Sequence, residues 1–478
     1  MMDIVHPSIN RFTAHYSSSA SVPAAELEFG QPLHETHPHL LKPGELTPGI
    51  TALEYARRRS KLAARLPEGA IAVLAAAEVK YRSRDVFYDF HQDSNFFYLT
   101  GFDEPEALAI ICKSSTPDDH IFHLYVRPKD SKAEKWEGAR SGTQAAVDVF
   151  NADETGPTSS LPHLLPPPLR PLKNLHRHPL LPPPPSTFLS RLSTPSPTSI
   201  STLLSSHTTT PLSPLIHPLR SLKSPAELSL LRSAGRSTGR ALTSTMSVPH
   251  ASESALSAHL SHSLFQHGTP KHAYIPVIAG DARGSTIHYT ANNALLLPTS
   301  PILVDAGAER GGYVTDITRV WPNSGKFSAE LRALYEVVLS AQRHAIALCH
   351  EAANVSLDDL HTITVNRIAD GLRGISTTEN GFATDAKSLD ILFPHHVGHY
   401  IGLDVHDTPT VGRREKLREG MCVTVEPGVY VPDDGRWPER WRGMSVRVED
   451  SVAVGGTGPV VLSVEAVKEV DDIEALRG

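Results

Sequence analysis

Ile302-Leu303-Val304-Asp305-Ala306-Gly307 and Val314-Thr315-Asp316-Ile317-Thr318-Arg319 each drive an apolar run into a carboxylate. Three later stretches repeat the pattern: His395-His396-Val397-Gly398-His399, Val423-Thr424-Val425-Glu426 and Val446-Arg447-Val448-Glu449. Short apolar runs of this kind predict buried strands. Four carboxylates and one imidazole at buried strand positions need partners, because an unpaired buried charge is costly. One or two divalent cations would neutralise Asp305, Asp316, His399, Glu426 and Glu449 together. A role without metal is disfavoured on the same ground, since removing the ion strands the charges.

Oxygen-rich ligation with a single imidazole favours hard or borderline ions such as Mn²⁺, Co²⁺ or Zn²⁺. Carboxylates can bridge, so five side chains can serve two ions about 3.5–4 Å apart. Such a pair lowers the pKa of a bound water, orients the hydroxide and polarises a scissile carbonyl, which is what a hydrolase needs.

Outward from these runs, Ser224-Pro225-Ala226-Glu227 places serine at an N-cap, proline at N1 and glutamate at N3. This capping box predicts a helix to about Met246. A second helix is predicted from Ser328 to Ala352, where Leu331, Leu334, Tyr335, Val338, Ala345 and Leu348 recur at helical spacing. Long helices flanking a curved antiparallel sheet give residues 219–478 an α+β layered architecture. Residues 34–155 read as a smaller α/β unit. It has a helix from Ile50 to Leu66, strands at Ala70–Leu74 and Ala107–Ile111, and the apolar run Asn95–Leu99 closed by Gly101.

Composition breaks between these regions. No Asp or Glu occurs from Thr155 to Ala226, and 16 of the chain's 39 prolines lie between Pro157 and Pro218. Proline breaks helices and offers no donor to ladders, so 156–218 reads as a linker or loosely folded insertion with extended stretches. Residues 1–33 are a tail or a transit segment: Ser17-Ser18-Ser19-Ala20-Ser21 and Arg11 fit a Ser-rich, acid-poor presequence.

The 478 residues exceed what one core normally holds. A net charge of −7 gives no case for nucleic-acid binding. No apolar run reaches the 18 residues of a membrane span. Cys112, Cys349 and Cys422, odd in number and without CxxC spacing, read as isolated core thiols.

The motifs together resemble a family. Asp305-Ala306-Gly307 with Asp316-Ile317-Thr318-Arg319, then His395 through Asp407, Thr424-Val425-Glu426-Pro427-Gly428-Val429-Tyr430, Val446-Arg447-Val448-Glu449-Asp450 and Thr286-Ile287-His288-Tyr289 are similar to the pita-bread metallopeptidases. They follow the order of the branch that holds aminopeptidase P and prolidase. Near the N-terminus, His37-Pro38-His39-Leu40-Leu41, Pro43-Gly44-Glu45-Leu46-Thr47-Pro48-Gly49-Ile50 and Phe90-His91-Gln92-Asp93-Ser94-Asn95 resemble the mitochondrial, intermediate cleaving type of Xaa-Pro aminopeptidase.

The resemblance implies a C-terminal pita-bread catalytic domain, 219–478, preceded by an aminopeptidase P-type N-terminal domain, 34–155. It implies two divalent metal ions, Mn²⁺ first among candidates, with Asp305 chelating one, Asp316 and Glu449 bridging, and His399 and Glu426 holding the other. His288 and His406 take positions that contact the peptide and stabilise the tetrahedral intermediate. His395 and Arg447 take positions near the proline pocket and beside the ligands, with Arg447 equally suited to pairing a ligand carboxylate. His395 and His396 are adjacent, so on a strand only one can face the metals. The implied activity is removal of one N-terminal residue from peptides or imported mitochondrial proteins, by a homodimer in the mitochondrial matrix, with nucleus or cytoplasm as further locations. Two alternatives stand beside it: a prolidase restricted to Xaa-Pro dipeptides, and a metal-free pita-bread binding module.

Overall fold

The computed structural model describes residues 28–114, 119–160, 174–177, 209–269, 271–376 and 381–477. The Ser-rich part of the N-terminal tail and most of the Pro-rich stretch lie outside them.

Ala70–Ala75 is buried at all six positions, as an unbroken apolar run demands of an inner strand. It pairs antiparallel with Leu108–Lys113, which pairs antiparallel with His120–Val126. Glu154–Pro157 adds a parallel edge. On the other side, Asn174–Arg177 and then Thr209–Pro211 join in parallel, completing six strands. Part of the Pro-rich region therefore adds strands to this sheet. The Ala52–Arg65 helix packs on it, its Thr51 cap accepting from the Glu54 amide. The Asn95–Leu99 run is helical, within Ser94–Thr100. Asp93 caps it, and Gly101 closes it at φ +66°, where a Cβ would lie 2.8 Å from the Tyr55 ring.

In the second unit the capping box is complete: Ser224 N–H donates to Glu227 Oε2 at 2.8 Å, and the Glu227 amide donates to Ser224 Oγ. The helix spans Pro225–Met246. The next predicted helix is Ala329–Ala347 and stops short of Ala352. Beyond it, the Glu351 and Ala352 amides donate to the Gly455 and Gly456 carbonyls, so the backbone leaves the helix to pair with a distant loop. Three three-stranded antiparallel sheets lie between the helices. One of them joins Lys271–His272, Ala308–Arg310 and Tyr313–Val314. The other two meet where the Glu449 amide donates to the Thr318 carbonyl. Of these two, one orders Val277–Gly280, Pro301–Ala306 and Ile317–Pro322; the other orders Cys422–Val425, Asp450–Ala453 and Val460–Val461. A hairpin of Gly428–Tyr430 with Ser445–Arg447 lies alongside. This α+β unit behind a smaller α/β unit is the architecture the sequence predicts.

The cores meet at the seam. Tyr55, Phe96, Phe97 and Leu99 share one apolar cluster with Tyr313, Val314, Ile401 and Leu403 of the second unit. Val314 and Ile401 stand two residues from Asp316 and His399, so the N-terminal unit buttresses the backbone that carries them.

Candidate metal centre

The structure gathers all five predicted ligands at the meeting of the two sheets. One expectation needs correction: only Asp305 lies inside a strand. Asp316 immediately precedes Ile317–Pro322, Glu426 follows Cys422–Val425, Glu449 separates Ser445–Arg447 from Asp450–Ala453, and His399 is in a loop beside Tyr400. Side chains on a regular strand alternate between faces. Breaks at the ladder ends let residues from five segments aim at one point.

Two glycines make the approach possible. A Cβ on Gly307 would lie 1.8 Å from the Thr315 carbonyl oxygen, and one on Gly398 2.0 Å from that of Thr424. The Glu449 amide donates to the Thr318 carbonyl at 3.1 Å, and Ser451 Oγ donates to the Asp316 carbonyl at 2.9 Å. These bonds stitch the two sheets together beneath the ligands.

Ligand atoms of Asp316, His399 and Glu449 lie within 4.8 Å of one another. His399 Nε2 is 3.6 Å from Asp316 Oδ2 and 3.5 Å from Glu426 Oε1. His399 Nδ1 meets the Tyr400 carbonyl at 3.1 Å. A carbonyl only accepts, so Nδ1 holds a proton and Nε2 is the nitrogen that faces the acids: it carries a proton toward them while no cation is there, and is the atom free to ligate once that proton leaves. Glu449 is buried; its Oε2 accepts from Thr318 Oγ1 at 2.6 Å, whereas Oε1 has no partner among the described residues. Burial, and then the neighbouring carboxylates, push Asp305 up to about 6, Glu426 up to about 7 and Glu449 well above the carboxylate range. His399 goes the other way: burial opposes its charge, but Asp316 and Glu426 outweigh that and hold it at about 9. A buried set that binds protons for want of positive charge, with an orphaned carboxylate oxygen, fits divalent cations.

The flanking residues are placed as follows. Arg447 is fully enclosed: Nε donates to Thr318 Oγ1 at 2.9 Å, Nη1 to Tyr430 Oη at 2.8 Å and Nη2 to Asp305 Oδ2 at 2.6 Å. It pairs the carboxylate of Asp305, a candidate ligand. His395 Nδ1 donates to the His396 carbonyl at 2.9 Å, so Nε2 accepts from Tyr430 at 2.9 Å. Burial, aided by Arg447, pulls His395 down to about 3 and keeps it neutral. His396 turns away to stack on His361, ring centroids 4.7 Å apart. His288 and His406 are exposed rather than packed in a core, and His406 meets the His399 ring edge-on at 4.4 Å.

Two tyrosines matter that the sequence reading left aside. Tyr430 joins Arg447 to His395; it stood in the quoted Glu426–Tyr430 run but could equally have been core. Tyr274 Oη reaches Asp305 Oδ1 at 2.5 Å and also hydrogen-bonds Asp316 Oδ1. No spacing or motif in the sequence announced it.

A hard-ligand cluster at the confluence of two antiparallel sheets, under helices and behind an α/β unit, defines a metallopeptidase. Residues 229–455 match the model of metallopeptidase family M24, and residues 55–176 match that of the aminopeptidase P N-terminal domain. Intermediate cleaving peptidase 55 of Saccharomyces cerevisiae is 39% identical over 467 residues, covering 94% of this chain and 88% of that protein. The mitochondrial intermediate cleaving peptidase 55 of Arabidopsis thaliana is 35% identical, covering 94% and 87%. The crystal structure of the Saccharomyces cerevisiae protein lacking its N-terminal 58 residues superposes with a TM-score of 0.82 at 38% identity, over 91% of this chain and 99% of that one. The chain belongs to metallopeptidase family M24, in its aminopeptidase P branch, and is a metal-dependent aminopeptidase.

Proposed function

We propose that Asp305, Asp316, His399, Glu426 and Glu449 would together hold two divalent ions, with Mn²⁺ the first candidate. When bound, the pair would supply an acidified water and a polarised substrate carbonyl. The chain's own residues do the rest. Thr318 pins one oxygen of Glu449 and leaves the other facing the centre. Tyr400 fixes the tautomer of His399. Arg447 fixes the rotamer of Asp305, and Tyr430 with His395 braces Arg447 from behind. At the exposed rim, His288 and His406 can donate N–H to the scissile carbonyl oxygen as it gains charge. The observation that carries this reading is the convergence of these five side chains from five separate segments.

The substrate is the N-terminus of a peptide or protein, shortened by one residue. Imported mitochondrial proteins as natural substrates, and the matrix as the location with nucleus or cytoplasm secondary, belong to this reading; the name of the Arabidopsis thaliana relative, which carries the word mitochondrial, supports the organelle. The division at about residues 155 and 219 belongs to this reading. So does a homodimer joined through the N-terminal unit, where Tyr81, Val86, Phe87 and Tyr88 are exposed on one hairpin. Among the described residues, no helix is long and apolar enough to cross a membrane.

Elemental analysis of the purified chain, with turnover of an N-terminal peptide library after chelation and Mn²⁺ re-addition, tests the proposal. Metal-dependent release of single N-terminal residues from peptides longer than two residues is expected. Cleavage of a Phe-Pro dipeptide alone would select prolidase, and a metal-indifferent, inactive protein would select the binding module.

A further inference from the structure

Asp404 and Asp407 bracket His406 in Gly402-Leu403-Asp404-Val405-His406-Asp407, and the metal reading uses neither. Both are held from outside the catalytic sheets. Arg220, the last residue of the Ser213–Arg220 helix, is buried. Its Nη2 donates to Asp404 Oδ2 at 2.7 Å and to Asp407 Oδ1, and its Nη1 donates to Asn95 Oδ1 at 2.7 Å. Lys223 Nζ donates to Asp407 Oδ2 at 2.9 Å, and Ser94 Oγ donates to Asp404 Oδ1 at 2.5 Å. The Asp407 amide donates to the Tyr400 carbonyl at 2.8 Å. On the far side, His217 Nδ1 meets Thr410 Oγ1 at 2.8 Å.

The loop is thus pinned before and after His406. Thr408, β-branched and buried, sits at φ +49°. A side chain of that kind stays in the left-handed region only where its surroundings over-determine it. The His406 ring has no hydrogen-bond partner among the described residues; it touches the His399 ring edge-on. Its aim is therefore set by the loop that carries it.

We propose that Arg220 and Lys223 are positioning residues: by gripping Asp404 and Asp407 they fix where His406 stands at the metal centre. Asn95 and Ser94 extend the grip, so the N-terminal unit takes part in catalytic alignment. The inference rests on the role given to His406 above. A cage that only glued the two units together would act on stability and independently of His406.

The test uses the full chain with Asp404→Asn, Arg220→Lys and Arg220→Met, each alone and combined with His406→Ala. Asp404 is half-exposed, so its variant folds even if changes at the buried Arg220 do not. Turnover of an N-terminal peptide, KM, metal content and thermal midpoint are read together. Each single variant should lower kcat about ten- to a hundredfold with KM within about twofold and metal content unchanged. Combination with His406→Ala should add no further loss, and Arg220→Lys should retain more turnover than Arg220→Met. Additive losses, or clamp variants with full turnover beside a slow His406→Ala enzyme, would overturn the clamp alone. A His406→Ala enzyme at full speed would remove the role of His406 and the clamp with it.

Discussion

Arg447 reaches Asp305 Oδ2 at 2.6 Å while its other nitrogens are committed to Thr318 and Tyr430. One planar guanidinium thereby ties a metal-facing carboxylate to two strands at once. A lysine ammonium is a point charge on a flexible stem and cannot hold that fork. Arg447→Lys should leave the chain folded but lower kcat and metal affinity, each by about ten- to a hundredfold. Elemental analysis after exhaustive dialysis, with peptide turnover alongside, checks it; full metal retention with unimpaired turnover would contradict the role.

Tyr274 places a single hydroxyl between two carboxylates, Asp305 and Asp316. Tyr274→Phe keeps the ring and its packing but releases both acids from their shared anchor. Metal affinity should fall about tenfold or more, and the thermal midpoint of the chelated protein should fall as well, because two buried carboxylates lose a donor. Competition against a chelator of known affinity measures the first, and a melting curve in excess chelator the second.

What the sequence made legible was the part that local chemistry dictates. Ser224-Pro225-Ala226-Glu227 announces its helix because the cap is satisfied within four residues. The five candidate ligands stand out because buried acids at the ends of apolar runs have few tolerable explanations. Tyr274 was invisible because its partners lie 31 and 42 residues away, and nothing local distinguishes its hydroxyl from any other. Arg447 was recognisable as one of two things, but only the fold shows which carboxylate it meets. The ends of the ligand strands were misplaced for a related reason: apolar runs show what is buried, whereas the ladder breaks are set by cross-sheet bonds such as Glu449 to Thr318.

Gly398 gives a sharper test of the same idea. A Cβ there would meet a backbone oxygen of Thr424, which cannot swing aside as a side chain tip would. Gly398→Ala should force the His399 segment off its neighbour and destabilise the chelated protein by about 3 kcal/mol or more. Urea denaturation of the chelated protein reads it; an unchanged midpoint would mean that the two segments separate without cost.

Removal of metal should make stability depend on pH with a definite sign. Asp305 at about 6 and Glu426 at about 7 titrate higher than an unfolded carboxyl, chiefly through burial. Folding therefore takes up protons, and stability falls as pH rises from about 4 through those values. His399, held at about 9 against the cost of its burial by Asp316 and Glu426, continues the trend, because its contribution is whole below about 6.5 and is lost on the way to 9. Asp316, for which burial is outweighed by His399 and Tyr274, sits below its ordinary value and works in the opposite sense only in acid. Below about 6.5 the histidines that burial depresses, His395 at about 3 first among them, oppose this trend, so the chelated chain should melt lower at about pH 8 than at about pH 6.5. Divalent ions need deprotonated ligands, so saturating Mn²⁺ should raise the midpoint far more at the alkaline end. Melting curves with and without metal across that range decide it: a metal-induced increment that stays constant with pH would mean that the carboxylates are already ionised without the ions, and that burial does not shape this centre.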